Sequence, residues 1–342
     1  MKLEVCLLVF ATVMSEDSAV AQRFSLEYWM RDLPDQLKDF PLIYLAIPGS
    51  HDSMTYGITR SSALAPDAQP ILNQLYPLFR GTILRWTITQ ALDTWQQLLI
   101  GIRYFDLRLA TKAGVQDFFF THGLYADEIT KPLAQVKEFV DSHPGEVVIL
   151  DFQHFYGFEE RDHGRLMRQL LSLFGGRLVP RQLDLERITL NSLNRLKQQV
   201  IVVYRHRSVY ATSEFWQPQM LPSPWPQKDK VSELLAFFDN VKRHRGTGFV
   251  HQAVLTPTST FIILRWTSNL RDKCAKPVVG EVLPKLMEMY PGAPSEVRGA
   301  RAPVNVVIAD FVDIDDAVFP KTIIQLNMKL LRNTDMVYHN YG

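Results

Sequence analysis

The chain has 342 residues, of which 46% are hydrophobic and 21% charged, and its formal net charge is +1. This is the composition of a globular protein with enough apolar residues for a large core. The near balance of 37 basic and 36 acidic residues gives no indication of nucleic-acid binding, and the two distant cysteines, Cys6 and Cys274, argue against a disulfide framework or a thiolate metal site.

The first 21 residues contain an apolar run, 5–14, which Lys2 precedes and Ala19-Val20-Ala21 follows. The run is too short to span a bilayer, and the small residues after it fit a signal cleavage site. We therefore predict a cleaved secretory signal over residues 1–21, a barrel over residues 22–342 and a secreted protein. Glu4 beside the run and the lack of an Asn-x-Ser/Thr sequon favour the alternative, a short apolar helix on a cytoplasmic protein.

Past residue 40, apolar runs typical of strands alternate with amphipathic stretches typical of helices. Several runs are nearly continuous β-branched residues, as in strands buried on both faces of a parallel sheet. The alternation predicts an α/β fold, either one (β/α) barrel or a doubly wound sheet. The predicted strands are 43–47, 102–109, 117–121, 146–152, 200–204, 252–256 and 304–311, and the predicted helices are 83–100, 127–142, 159–174, 230–243, 278–290 and 315–332.

The first predicted strand runs into the heptapeptide IPGSHDS, residues 47–53. Pro48-Gly49 predicts a sharp end to the strand, which places His51 and Asp52 just beyond it. A titratable histidine at a strand end is well placed for proton transfer. A surface turn capped by Asp52 explains the same residues, so the ends of the other strands decide between the two interpretations.

The second predicted strand, 102–109, alternates apolar and polar residues. Tyr104, Asp106 and Arg108 share one face because side chains two apart point the same way. The pattern predicts an apolar face under helices and a polar face turned into a barrel. The alternative is an ion pair between Asp106 and Arg103 or Arg108 that only stabilises the barrel.

Further strands also end in polar groups. Strand 117–121 leads into His122 and Gly123, and strand 304–311 delivers Asp310. The strands 146–152 and 200–204 end in the polar stretches 151–154 and 204–206. Because active sites of parallel barrels lie at the carboxyl ends of the strands, these residues together predict a functional cluster.

Two histidines, an arginine and carboxylates, without a phosphate-binding glycine loop, suit phosphodiester cleavage. One imidazole can deprotonate an attacking hydroxyl and the other can protonate the leaving oxygen, while Arg108 donates to the phosphate. The alternative is a divalent ion with ligands from His51, Asp52, Asp106 and His122. The permanent charge of Arg108 in the same cavity opposes a cation. We therefore predict chemistry without a metal or another cofactor.

The motifs IPGSHDS, GIRYFDLR, THG and EVVILDF, in this order, resemble the X domain of phosphatidylinositol-specific phospholipase C. DFQHFYG (151–157), PSPW (223–226) and VIADFV (307–312) are similar to the eukaryotic PI-PLC X domain-containing proteins in particular. The resemblance extends from residue 26 onwards. It implies a distorted, incomplete TIM-type barrel that cleaves phosphatidylinositol-type lipids into diacylglycerol and an inositol (cyclic) phosphate.

Carried over by position, the resemblance implies a role for each strand-end residue. His51 resembles the general base that acts on the inositol 2-hydroxyl, and His122 the general acid that protonates the diacylglycerol oxygen. Arg108 resembles the arginine that bacterial enzymes have in place of an acidic calcium ligand. Asp310 resembles the aspartate that supports the base, and Asp52 the carboxylate beside it.

The resemblance also indicates residues that contact the substrate. Gln153 stands where the calcium-dependent enzymes have a glutamate ligand and the bacterial enzymes a lysine, which opposes a calcium site. Arg205 is similar in position to an arginine that contacts inositol. The candidate substrate-binding residues are Asp106, Gln153, Arg205, Tyr204 and Trp225.

The segment 215–226 (FWQPQMLPSPWP) has no charged residue and contains two tryptophans. It suits a rim that enters a lipid interface, and a lid packed on the barrel is the alternative. We predict a phosphoinositide lipid and the membrane surface as partners, no nucleic acid, and no particular oligomeric state. The competing functions are an inactive phosphoinositide-binding module on the same barrel and a metal-dependent glycerophosphodiesterase.

Overall fold

The computed structural model describes residues 25–69, 72–295 and 301–331. The predicted signal segment, 1–21, lies outside these residues, so the secretory signal stays a prediction. The strands of the described residues belong to one sheet. They are β1 (Ile47–Ser50), β2 (Tyr104–Thr111), β3 (Phe118–Thr121), β4 (Tyr125–Glu128), β5 (Val148–Tyr156), β6 (Val200–Tyr204), β7 (Val250–Ala253) and β8 (Val306–Ala309).

Six strands lie parallel in the order β6-β5-β2-β1-β8-β7. Strands β3 and β4 form an antiparallel hairpin on the second half of β2, so the predicted strand 117–121 is not part of the parallel set. Within the described ranges no ladder joins β6 to β7, and the barrel is open on this side. The prediction of a distorted, incomplete TIM-type barrel is confirmed.

Helices follow most of the strands, and none of those described has the length and hydropathy needed to cross a bilayer. The α-helices are α1 (Asp35–Lys38), α2 (Leu72–Thr87), α3 (Thr94–Leu99), α4 (Thr130–Ser142), α5 (Glu160–Phe174), α6 (Leu190–Leu196), α7 (Val231–Asn240), α8 (Ser259–Ile263), α9 (Leu283–Glu288) and α10 (Ile314–Gln325). Two π-helical turns, Arg271–Ala275 and Val278–Val282, precede α9. Turns of 3₁₀ helix lie at Leu26–Tyr28, Leu42–Tyr44, Thr55–Gly57, Gly175–Arg177, Leu185–Arg187, Arg207–Ala211 and Pro218–Met220.

The two faces of β2 lie in different environments, as its alternation predicts. Its outward apolar residues pack in the same core cluster as Phe139 of α4. Tyr104 packs with Ile308 of β8 inside the barrel. Asp106 and Arg108 follow Tyr104 on the inner face toward the carboxyl end. Full burial of a large apolar side chain stabilises a fold by about 1.5–3 kcal/mol, so the two cores hold β2 firmly in this orientation.

Arg103 forms a buried ion pair with Glu146 and not with Asp106. Arg103 and Glu146 are both fully buried and lie 2.8 Å apart. The Arg103 guanidinium also donates to the carbonyls of Leu98 and Glu27. This pairing excludes Arg103 as the partner of Asp106, which leaves Arg108 for that role.

Strand β1 differs from its prediction. It begins at Ile47, after a 3₁₀ turn, and Pro48-Gly49 lies inside it rather than ending it. A Cβ atom on Gly49 would lie within 3.0 Å of Tyr104 and Ile308. Glycine therefore allows β1 to fit between β2 and β8.

The predicted helix 83–100 is two helices, because α2 ends at Thr87 and α3 begins at Thr94. Asp93 and Gln96 form a capping box that starts α3. Thr89 and Gln90, in the break, are buried and form hydrogen bonds with loops at the mouth of the barrel. These tertiary hydrogen bonds replace those that a continuous helix would form at the same residues.

The segment 215–226 packs on the barrel over its first half. Phe215 and Trp216 are buried, and the backbone of Trp216 pairs with Val203 beside β6. The Trp216 indole N–H donates to the carbonyl of Val179 at 3.0 Å. The lid interpretation therefore holds for this half of the segment, while Trp225 is exposed.

We predict that His251 makes the fold sensitive to acid. Its ring is fully buried between Phe238 and Phe249, with neither nitrogen hydrogen-bonded. Burial, aided by Arg243, lowers its pKa to about 3. Because this value lies below the unfolded value of 6.5, the unfolded chain binds the extra proton as the pH falls below 6.5. As the pH falls below 6.5, the free energy of unfolding of His251→Phe should therefore rise relative to that of the wild type, by up to about 1.4 kcal/mol per pH unit.

Urea unfolding at several pH values measures this difference. His244→Phe is the matched control, since His244 is exposed on the loop before β7. Its unfolding free energy should follow the wild-type pH dependence. A constant gap between His251→Phe and wild type would contradict the prediction.

Candidate functional site

The carboxyl ends of β1, β2 and β8 and the turn after β3 bring six polar side chains together. We call them the histidine cluster: His51, Asp52, Asp106, Arg108, His122 and Asp310. Asp52 has a left-handed φ of 40°, which is costly for a residue with a Cβ atom. Its backbone N–H donates to Asp106 Oδ2 at 3.2 Å. This turn places the Asp52 carboxylate among the basic side chains of the cluster.

His51 is buried and lies against two carboxylates. Its Nδ1 is 2.7 Å from Asp310 Oδ1, and its Nε2 is 3.4 Å from Asp52 Oδ2. Burial lowers the pKa of His51, but the charges of Asp52 and Asp310 outweigh it and raise the pKa to about 9. In the neutral ring, Nδ1–H donates to Asp310 and Nε2 accepts from Arg108 Nη2 at 3.1 Å. His51 is therefore a strong proton acceptor with a fixed tautomer.

Arg108 forms ion pairs with two buried carboxylates. Its Nε is 2.5 Å from Asp52 Oδ1, and its Nη2 is 3.5 Å from Asp106 Oδ2. Burial alone would lower the pKa of Arg108, but these two anions raise it above its ordinary value. Burial alone would raise the pKa of Asp52, but Arg108 and both histidines lower it. Both groups therefore keep their charges at neutral pH.

His122 faces the same carboxylate oxygen as His51. Its Nε2 is 3.3 Å from Asp52 Oδ2, and its Nδ1–H donates to the carbonyl of Thr87, at the end of α2, at 2.7 Å. The His122 side chain is 28% exposed, whereas that of His51 is 9% exposed. One imidazole is thus buried and the other is open to a ligand.

Thr89 and Gln90 hold the backbone of the cluster. Gln90 Nε2 donates to the carbonyls of His51 and Ala309, both at 2.9 Å. Thr89 Oγ1 donates to the carbonyl of Asp52 at 3.0 Å. These contacts fix the chain on either side of the His51–Asp310 hydrogen bond. No sequence pattern indicates either residue, because both lie inside an amphipathic stretch with helical periodicity.

Comparison with known proteins gives clear relatives, although no family model matches the chain. PI-PLC X domain-containing protein 3 of Danio rerio is 35% identical over 88% of this chain and 93% of its own length. PI-PLC X domain-containing protein 1 of Homo sapiens is 33% identical over 89% of this chain and 93% of its own. The chain belongs to the PI-PLC X domain-containing family.

Solved structures show the same fold at low sequence identity. A phosphatidylinositol-specific phospholipase C from Staphylococcus aureus matches with a TM-score of 0.59 at 17% identity, over 89% of this chain and 98% of its own. The enzyme from Listeria monocytogenes matches with a TM-score of 0.56 at 18% identity, over 88% of this chain and 98% of its own. This member of the family therefore has the barrel of the bacterial enzymes.

Two of the predicted substrate-binding residues form a second network beside the histidine cluster. Arg205 makes two hydrogen bonds to Asp151, at 2.8 and 2.7 Å, and Tyr104 OH donates to Asp151 at 2.7 Å. Gln153 Nε2 donates to Tyr104 OH and to Asp151. The charge of Arg205 is therefore balanced within the protein, and Gln153 is a neutral group at the mouth.

Tyr204 does not belong to the site. Its side chain is fully buried on the helix-facing side, in the core cluster that contains Phe152. Its hydroxyl is hydrogen-bonded to His163 of α5 at 2.8 Å. Its position at a strand end suggested substrate contact, but β6 alternates the other way and turns it outward. Trp225 is exposed, and its indole N–H donates to Thr256 after β7, so it stands on the rim.

His154 also lies at the mouth; the sequence patterns place it in the polar stretch 151–154 but indicate no role for it. The β2–β5 pairing shifts register at this point, so that Leu107 faces Phe152 and Arg108 faces His154. The resulting bulge at Gln153 turns both Gln153 and His154 toward the mouth. Desolvation and the charge of Arg108 lower the pKa of His154, although the residue is partly exposed. With strict alternation along β5, His154 would lie on the helix-facing side of the sheet instead.

His51, Asp52 and Asp106 place one possible ligand atom each within 4.8 Å of one another, which is the spacing of a metal site. Arg108 contacts both of these carboxylates. A divalent ion would have to displace the guanidinium or lie beside its positive charge. The residues present therefore do not fit the calcium ion of the calcium-dependent enzymes.

We predict that the His51 imidazole titrates with a pKa of about 9 in the free protein. Asp310→Asn should lower this pKa, because it removes an anion 2.7 Å from Nδ1. NMR titration of the labelled imidazole measures both values. Asp313→Asn is the matched control, since Asp313 pairs with Arg271 and should leave the His51 titration unchanged. A wild-type midpoint near 6.5 would show that the carboxylates do not act on His51 as described.

Proposed function

We propose that this protein is a metal-independent phosphodiesterase that cleaves phosphatidylinositol-type lipids. The products would be diacylglycerol and an inositol cyclic phosphate. The observation that carries the proposal is the arrangement around Asp52, whose carboxylate lies within 3.4 Å of both imidazoles and of Arg108. Binding of a headgroup alone needs neither a strong proton acceptor nor a second, more exposed imidazole.

The base in the proposed reaction is His51. Its Nε2 takes the proton of the inositol 2-hydroxyl while the oxygen attacks phosphorus. Nδ1–H keeps its hydrogen bond to Asp310, which stabilises the imidazolium that forms. Only the neutral ring can act, so a pKa of about 9 favours activity on the alkaline side of neutrality.

The acid is His122. As the bond between phosphorus and the glycerol oxygen breaks, the proton on Nε2 passes to that oxygen. The carbonyl of Thr87 holds Nδ1–H, and the Asp52 carboxylate lies 3.3 Å from Nε2. Acid–base assistance of this kind contributes roughly 10²–10⁴-fold to a rate.

Arg108 supplies positive charge at the phosphate. When His51 is neutral, Arg108 Nη2 donates to His51 Nε2, so the phosphodiester must take over that donor when it binds. The guanidinium then faces the phosphate oxygens, where negative charge grows in the transition state. No step is assigned to a metal ion, because Arg108 occupies its place.

An exposed apolar surface beside the mouth supports contact with a membrane. We call it the apolar rim: Leu75, Leu78 and Phe79 of α2 with Ile263, Leu264 and Trp266 at and after α8, all exposed. Arg85 of α2 donates to the carbonyls of Trp266 and Ser268, which joins the two parts. Apolar side chains with a tryptophan among arginines are typical of protein surfaces that enter a lipid interface. One of the solved structures of the Staphylococcus aureus enzyme concerns the modulation of its membrane binding.

We predict that His51→Ala and His122→Ala each abolish release of inositol phosphate from phosphatidylinositol vesicles, and that EDTA leaves the wild type active. ³¹P NMR should show a 1,2-cyclic phosphate as the first product. His244→Ala, exposed and distant in the chain from the cluster, is the control and should keep wild-type activity. Loss of activity with EDTA would overturn the metal-free mechanism. Vesicle binding without release of product would support the binding module instead.

We predict that Leu78→Glu and Leu264→Glu weaken binding to phosphatidylinositol vesicles, because each puts a charge on the apolar rim. Activity on vesicles should fall at least about tenfold, with turnover of a water-soluble inositol phosphodiester unchanged. Leu183→Glu is the matched control, since Leu183 is a fully exposed leucine on the loop between α5 and α6. Equal loss on both substrates would show that the rim acts on the fold and not on the membrane.

A further inference from the structure

Asp67, on the loop before α2, is bound to the turn that carries His122. Its Oδ1 accepts from Thr121 Oγ1 at 2.6 Å, and its Oδ2 accepts from the backbone N–H of Gly123 at 2.6 Å. One carboxylate therefore holds the residue before His122 and the residue after it. Hydrogen bonds to a charged acceptor are stronger than neutral ones.

The turn needs such a contact. Gly123 has a φ of +67° and no atom within 4 Å of where a Cβ would lie, so its own packing restricts it little. Backbone hydrogen bonds join Ala65 to Gly123, Tyr125 to Ala63 and His122 to Leu124, and the Asp67 carboxylate adds side-chain hydrogen bonds to them. Asp67 is the side chain that binds the turn itself.

The His122 ring depends on the position of this turn. Nδ1–H must reach the carbonyl of Thr87 at 2.7 Å, while Nε2 lies 3.3 Å from Asp52 Oδ2. A small rotation of the turn would lengthen both contacts. The misplaced ring would then deliver its proton poorly to a leaving oxygen, since proton transfer requires hydrogen-bond distance.

We propose that Asp67 is a positioning residue for His122, which rests on the acid role given to His122 above. Both Asp67 oxygens are occupied by Thr121 and Gly123, so Asp67 acts through the turn and not on the substrate. A carboxylate is needed because both donors require an acceptor. In Asp67→Asn the amide group would face one of them with its own N–H, and in Asp67→Ala both contacts are lost.

Two substrates separate this role from a purely structural one. Phosphatidylinositol has an alkoxide leaving group that needs the proton of His122, whereas a 4-nitrophenyl inositol phosphate has a leaving group that departs without it. Asp67→Ala and Asp67→Asn should lower kcat on phosphatidylinositol roughly tenfold or more, with little change in KM. Turnover of the nitrophenyl ester should stay close to wild type. His122→Ala should show the same selectivity, and the double variant with Asp67→Ala should have the same kcat as His122→Ala alone.

Asp184→Ala is the matched control, because Asp184 also binds a turn N–H, that of Glu186, at 3.0 Å. It should leave both substrates unaffected. Equal losses on both substrates, no loss on either, or an additive double variant would each overturn the proposal.

The two proposals can fail separately. If the wild type cleaves neither substrate, the proposed function fails, and the ¹⁵N spectrum of the ring decides the role of Asp67. Asp67→Asn should then shift the His122 nitrogen signals away from the Nδ1–H pattern and leave those of His51 unchanged. Unchanged His122 signals would overturn the positioning role.

Discussion

The Asp52 carboxylate is the constraint on which the site depends. It is a buried anion at a left-handed residue, within 3.4 Å of two imidazoles and paired with a guanidinium. An unpaired carboxylate in this position would be strongly destabilising, and so would three basic groups without it. The Asp52 carboxylate and the basic groups around it therefore stabilise each other's burial, with Asp310 and Asp106 as further anionic partners. The cluster folds as one electrostatic unit.

The unit is also held by hydrogen bonds to its backbone. Thr89, Gln90 and Thr87 lie in or next to the break between α2 and α3, and they bind the chain at His51, Ala309 and the His122 ring. A continuous helix would have used these polar groups internally. Because the helix is interrupted, residues 87–90 can instead form hydrogen bonds with the ends of β1 and β8 and with the turn after β3.

The sequence predicts the parts of the site that follow strand periodicity. Alternation in β2 correctly places Asp106 and Arg108 inward, and the ends of β1 and β8 correctly bring His51 and Asp310 together. It fails where tertiary contacts override local pattern. Residues 83–100 have helical periodicity, yet Thr89 and Gln90 are drawn into the core. The bulge at Gln153 reverses the parity of β5, and Tyr204 shows that a strand end does not by itself tell which face a side chain takes.

The 3.1 Å contact between Arg108 Nη2 and His51 Nε2 has a consequence for the neutral form of His51, which is the form that can act as a base. In that form the Nε2 lone pair already accepts the N–H of Arg108, so it is not free to take a proton from water or from a neutral alcohol. An anionic ester can compete for the guanidinium, and in doing so it uncovers the nitrogen at the moment its own hydroxyl arrives. The site would then select a charged diester over uncharged lipids before it recognises the sugar, because only an anion can draw the Arg108 N–H away from His51.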